Sequence, residues 1–175
     1  MTILAEYDEA WAGQYAALAA ELQEAFGDAV TELEHIGSTA VPGLVAKPAI
    51  DIAARAVSLE VASGKDPQLA DLGFHHEPAG PPGRRTYTRV VDGILTSNLH
   101  VFPDEVWDGL NQRILHDHLR ATPEAVRRYS ELKRRLATEG LSGFDYTAAK
   151  TTLIQELTDD ARQLRGLPSV PVWET

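Results

Sequence analysis

The chain has 175 residues, 43% of them hydrophobic and 24% charged, with no cysteine and a formal net charge of −10. That length suits one domain with a sizeable core, and the lack of cysteine excludes disulfides and thiolate metal sites. The acidic balance argues against nonspecific binding to DNA or RNA, which needs a basic face.

No run of about eighteen apolar residues is present, so no membrane span is expected. The acidic start MTILAEYDEAW lacks the basic-then-apolar order of a signal peptide, so a cytoplasmic protein is the expectation. Asp8 stands where an N-cap would open a helix running to about Phe26. Trp11, Tyr15, Leu18, Leu22 and Phe26 recur at helical spacing, and Gly27 is a natural stop.

Val30–Ile36 alternates as a half-buried strand does. Gly37-Ser38-Thr39 ends it. The glycine permits a tight turn and lets a ligand approach bare backbone, while Ser38 and Thr39 offer hydroxyls and can cap a helical turn whose free N–H groups attract anions. Pro42-Gly43 is a turn signal. Ala49 to Ala54 is a second apolar strand carrying one acid, Asp51. A buried carboxylate is costly unless paired, protonated or metal-bound. Either Lys47 or Arg55 neutralises it, or it faces a site together with the Gly37-Ser38 turn, where phosphate oxygens and a divalent cation would meet.

Ser58–Gly73 reads as helical pieces broken near Gly64 and Pro67, and Phe74–Glu77 as a short edge strand. His75 and His76 are adjacent, so on a strand they point to opposite faces and form no chelating pair. After a loop rich in Pro and Gly, Arg85–Val91 and Ile94–Phe102 flank Asp92-Gly93, a strong hairpin signal. Arg85, Tyr87 and Arg89 share one face of the first strand; Thr96, Asn98 and His100 share one face of the second.

The remainder reads as helical: Glu105–Ala121, then a helix from Pro123 with Thr122 as N-cap, ending near Gly140. Arg127, Arg128, Lys133, Arg134 and Arg135 form a solvated basic face or a phosphate-facing wall. A last helix spans Tyr146 to about Leu164, with Ala149, Leu153, Leu157 and Leu164 inward. The tail GLPSVPVWET is expected to be extended and to pack through Trp173. These elements predict an α+β fold in which a small mixed sheet is flanked by helices and followed by a C-terminal helical bundle. The expected organisation is a single domain over 1–175: a sheet-containing core to about 103, a helical part over about 104–165, and the tail 166–175.

The stretch HIGSTAVPGLVAKPAIDI, the segment Gly83-Arg84-Arg85, the strand end Leu99-His100-Val101 and the pair Tyr146 and Lys150 together resemble the GrpB family. That family belongs to the nucleotidyltransferase superfamily of the DNA polymerase β type. The resemblance implies a nucleotidyltransferase-like fold that binds a nucleoside triphosphate or another phosphorylated small molecule. Gly37, Ser38 and Thr39 would hold phosphate, and Lys47, Arg85 and Lys150 would neutralise it. Asp51 and His100 would be the catalytic and metal-binding residues, facing one cleft. The reaction implied is nucleotidyl transfer to an acceptor.

Ala53 stands where the superfamily pattern has its second acid. Weak, substrate-dependent binding of a divalent cation is therefore expected, Mg²⁺ or Mn²⁺, with Zn²⁺ or Ni²⁺ as further candidates because imidazole suits Mn²⁺, Zn²⁺ and Ni²⁺ better than Mg²⁺. The alternative is a non-catalytic ligand-binding or folding-accessory module, of the kind fused to dephospho-CoA kinase.

Overall fold

A computed structural model describes residues 3–141 and 143–172, so the expected packing of Trp173 lies outside the described residues. The chain divides into two compact units: a sheet unit of Glu9–Ala40 and Ala49–Gly109, and a helical unit formed by the residues up to Asp8, Val41–Pro48 and those from Leu110 onward.

In the sheet unit, five strands form one mixed sheet. They are β1 (Val30–Ile36), β2 (Ile50–Ala56), β3 (Phe74–His76), β4 (Arg85–Val91) and β5 (Ile94–Pro103), in the order β1-β2-β5-β4-β3. Only the β2–β5 pair is parallel. The Asp92-Gly93 hairpin forms with φ of 52° and 77°, the left-handed pair that a two-residue turn needs to match strand twist. Helix α1 (Ala10–Phe26) buries Trp11, Leu18, Leu22 and Phe26, as its spacing predicts. Glu9, the residue just before it, makes no side-chain cap bond. Two short helices follow β2: α2 (Leu59–Ser63), capped by the Ser58 hydroxyl, and α3 (Asp66–Asp71). Pro67 sits in the first turn of α3, where its missing N–H costs nothing, so it opens that helix instead of breaking one.

The helical unit holds α4 (Asn111–Ala121), α5 (Pro123–Thr138), α6 (Gly143–Ala149) and α7 (Thr151–Leu164). Two expected long helices are divided. Asp104–Gly109 is a 3₁₀ stretch of the sheet unit, and Leu110 is extended at ψ 121° before α4 begins. The last helix breaks at Lys150, which resets the buried stripe to Ile154, Leu157, Thr158 and Ala161; Leu164 is 80% exposed. Thr122 precedes α5 without a side-chain cap bond, its place being set by Pro123.

The Val41–Pro48 segment joins β1 to β2 in sequence, yet Val41 and Leu44 are buried with Leu119, Tyr129, Ile154 and Leu157. Lys133, 3% exposed, donates to the Val45 carbonyl at 2.9 Å, and the Val45 N–H donates to the Ser130 hydroxyl at 3.4 Å. No helix among the described residues is long and apolar enough to cross a membrane.

Candidate functional site

Strand register assembles the site in the sheet unit. Asp51 is paired with Ile36 on β1 and with Asn98 on β5; one step along, Ala53 is paired with Glu34 and His100, and His100 with Thr86 on β4. Directly paired residues share a face, so Asp51, Asn98, His100 and Thr86 lie on one side of the sheet. Ile52, Ala54, Leu99, Val101 and Tyr87 take the other side, where α1 and α3 pack.

Arg55, one of the two cations expected beside Asp51, is engaged by other acids. It pairs with Glu32 and Asp104 at 3.2 and 2.5 Å. Instead the Asn98 amide donates to Asp51 Oδ1 at 2.8 Å. The other carboxylate oxygen lies against the turn: a Cβ on Gly37 would stand 2.4 Å from Oδ2. Gly37 also has φ 72°, a left-handed conformation that side chains resist. Both facts require glycine there, and both bring bare backbone against the acid.

Ser38 opens the short 3₁₀ turn Ser38–Ala40. Thr39 is 1% exposed, and its hydroxyl donates to the Ala49 carbonyl at 3.2 Å. That uses its one hydrogen, so at 3.0 Å from His35 Nε2 it accepts, and His35 carries its proton on Nε2. The His35 ring in turn stacks on Tyr15 with centroids 4.8 Å apart. Burial, then the nearby Glu34 charge, push the Tyr15 phenol above its usual range. Thr39 thus ties the turn to the start of β2.

His100 is held neutral. Burial, helped by the positive charge of Arg84, lowers its pKa to about 4. Its Nδ1 lies 3.5 Å from the Thr86 hydroxyl. The two arginines before this strand part company. Arg84 lies over the Phe102 ring at 5.4 Å, beside His100. Arg85 turns to the helix-covered side, donating to Asp66 at 2.7 Å and to the Tyr87 hydroxyl at 2.8 Å. Tyr87 donates to Asp66 in turn, and burial pushes its phenol up to about 12. Sequence reasoning chose Arg85. Since Thr86 sits opposite His100, alternation carried back from it points to Arg84 as the arginine on the Asp51 side.

Lys47 and Lys150 belong to the helical unit, where both ammonium groups lie over the ring of Tyr146, at 4.8 and 4.5 Å from its centroid. The basic stretch of α5 is neutralised locally: Arg127 pairs with Glu124 and Glu131, Arg128 with Glu156, and Arg134 with Glu6. These arginines form a solvated, ion-paired face, whereas Lys133, grouped with them in the sequence, is buried.

The family model described as GrpB protein matches residues 2–160. The chain belongs to the GrpB family. A crystal structure of conserved protein GrpB from Enterococcus faecalis is similar over 94% of this chain and 99% of its own, with TM-score 0.86 and 26% identity. UPF0157 protein BH1888 of Halalkalibacterium halodurans is 32% identical over 88% of this chain and 79% of its own length. UPF0157 protein YqkA of Bacillus subtilis is 27% identical over 90% of this chain, which spans only 46% of YqkA.

In this GrpB chain the donor set for a cation is small. Asp51 offers a carboxylate and His100 a neutral imidazole, and among the described residues no third such group clusters with them. Ala53, the residue paired with His100, has no donor at all. The set fits a cation that also takes oxygens from a ligand, and falls short of a protein-only cage.

Proposed function

We propose that this GrpB chain binds a phosphorylated small molecule, a nucleoside triphosphate in the first instance, on the Asp51 side of its sheet. The observation that carries the reading is the Gly37 turn pressed against the Asp51 carboxylate. A turn without side-chain bulk brings bare backbone and a carboxylate to one place. Ser38 would present its hydroxyl and backbone N–H to phosphate oxygens. Asp51, with neutral His100, would hold a divalent cation, which when bound offsets phosphate charge near an acid. Arg84 would supply positive charge on the same side. Nucleotidyl transfer, in which an acceptor oxygen attacks the α-phosphorus and pyrophosphate leaves, is the reaction the family resemblance implies.

The sparse donor set favours a second reading, a ligand-binding or accessory module without turnover. With one carboxylate, a two-metal clamp on attacking and leaving oxygens is not available.

Calorimetry with ATP and the other nucleoside triphosphates, with Mg²⁺ or Mn²⁺, tests the proposal. Wild type should bind and gain thermal stability, by about 2.7 kcal/mol at a hundredfold excess over Kd. Asp51→Asn and Gly37→Ala should each remove metal-dependent binding, the first with the fold intact. Equal affinity of wild type and Asp51→Asn at saturating metal would leave Asp51 a structural acid. A flat response to every nucleotide would favour the accessory module.

A further inference from the structure

We propose that the tip of the β4–β5 hairpin binds the base of a nucleotide: Val90 and Leu95 form an aliphatic platform on which the flat ring lies while the phosphates reach the Gly37 turn. The platform presupposes phosphate at that turn, as proposed above, and adds an apolar contact from residues not counted there. All of these residues belong to the sheet unit.

Strand register places the platform. Asp51, Asn98 and Thr88 form one row across β2, β5 and β4. Along β4, alternation puts Thr86, Thr88 and Val90 on the Asp51 side. Between the pairs Arg89–Ser97 and Val90–Leu95, β4 advances one residue and β5 advances two. The extra residue, Thr96, is therefore a β-bulge, and its hydroxyl donates to the Arg89 carbonyl at 3.1 Å. Strict alternation along β5 would put Leu95 on the side of Leu99 and Val101, where α1 and α3 pack. The bulge sets it opposite Val90 instead, and so on the Asp51 side.

Bulges re-aim side chains, and they are over-represented beside active sites. Here the re-aimed side chain is a leucine that remains 42% exposed, paired with a valine that is 54% exposed. Single exposed apolar residues are ordinary, but this pair stands one row from the carboxylate that Asn98 holds. The two rows lie about 7 Å apart along the strands, and β5 lies about 5 Å from β2. A ligand spanning that distance is anionic at one end and apolar at the other, which is the division of a nucleotide. Base faces pack well on aliphatic side chains. Val90 and Leu95 carry no polar atom that could read base edges. The platform therefore takes any base, and favours a purine over a pyrimidine only by the area covered.

The same hairpin supplies a control. Val91 and Ile94, the pair next to the turn, are as apolar and also exposed, and lie on the opposite side.

Calorimetry of the full chain with Mn²⁺ compares ATP, CTP and inorganic tripolyphosphate, which has phosphates and no base. Wild type should bind ATP several-fold more tightly than CTP. The double variant Val90→Thr, Leu95→Thr keeps strand-forming side chains and removes most of the apolar area. It should weaken ATP about tenfold and leave tripolyphosphate unchanged. The double variant Val91→Thr, Ile94→Thr makes the same change on the other side and should bind ATP as wild type does. Leu95→Phe enlarges the platform and should tighten ATP several-fold without changing tripolyphosphate.

ATP affinity untouched by Val90→Thr, Leu95→Thr overturns the platform and leaves phosphate binding at the Gly37 turn standing. So does an equal loss of ATP in both double variants, or a parallel loss of ATP and tripolyphosphate in the first. Failure of wild type to bind either ATP or tripolyphosphate removes both readings.

Discussion

The sheet unit holds its acid beside a neutral amide, whereas the helical unit holds its most buried lysine against a backbone carbonyl. Asp51 accepts from Asn98 across a parallel strand pair, and Lys133 donates to Val45 from a segment that lies between β1 and β2 in sequence. In the first case the partner is fixed by strand register, a regular and local geometry. In the second it is fixed by the path of a loop. The Asn98 amide and the Val45 carbonyl are both neutral dipoles, which offset part of the desolvation of the charge they meet. The sheet unit therefore keeps a charged oxygen beside bare backbone, and the helical unit keeps a lysine as a brace.

Three experiments sharpen this contrast, beyond the ligand tests above. The largest effect should come from His100. Its folded pKa, about 4, lies below the ordinary 6.5, so between those values the unfolded chain binds more protons. Its contribution to stability is then fully present above pH 6.5 and is lost as pH falls toward 4. At 1.36 kcal/mol per unit the loss amounts to about 3 kcal/mol. Urea denaturation across this range should show the decline in wild type and a much shallower one in His100→Gln. Identical slopes would mean that the His100 ring is solvated.

Next is Lys133→Met, which keeps the stem and removes the donor to Val45. It should cost about 2 kcal/mol, the worth of a hydrogen bond to a charged group, with amide exchange accelerated at Val45 and Ala46. An unchanged denaturation midpoint would show that apolar burial of Val41 and Leu44 alone holds the segment.

The smallest effect is expected at Arg127. It bridges Glu124 and Glu131 on the solvent side of α5, and these partners hold its guanidinium charged far above any working pH. Fully exposed pairs are screened by water and salt. Arg127→Gln should melt with wild type, and a clear loss would make the charged face of α5 a stabilising network.

The sequence by itself determined the elements with a short period and a clear stop. The alternation of β1, the Asp92-Gly93 hairpin and the shared face of Asn98 and His100 follow from a side-chain period of two and from left-handed turn chemistry, both local properties. It also singled out Asp51 and Gly37, because an acid in an apolar strand and a glycine at a strand end are improbable without a reason. Tertiary structure decided what those residues meet. Asn98 as the Asp51 partner depends on β5 lying parallel beside β2 from a distant part of the chain. The division between Arg84 and Arg85 depends on the register of β4 against β5, since a one-residue slip exchanges the two faces. The capture of Val41–Pro48 by the helical unit and the meeting of Lys47 with Tyr146 join residues far apart in sequence. Helix breaks at Leu110 and Lys150 were hidden for the same reason: local propensity there permits a helix, and packing overrides it.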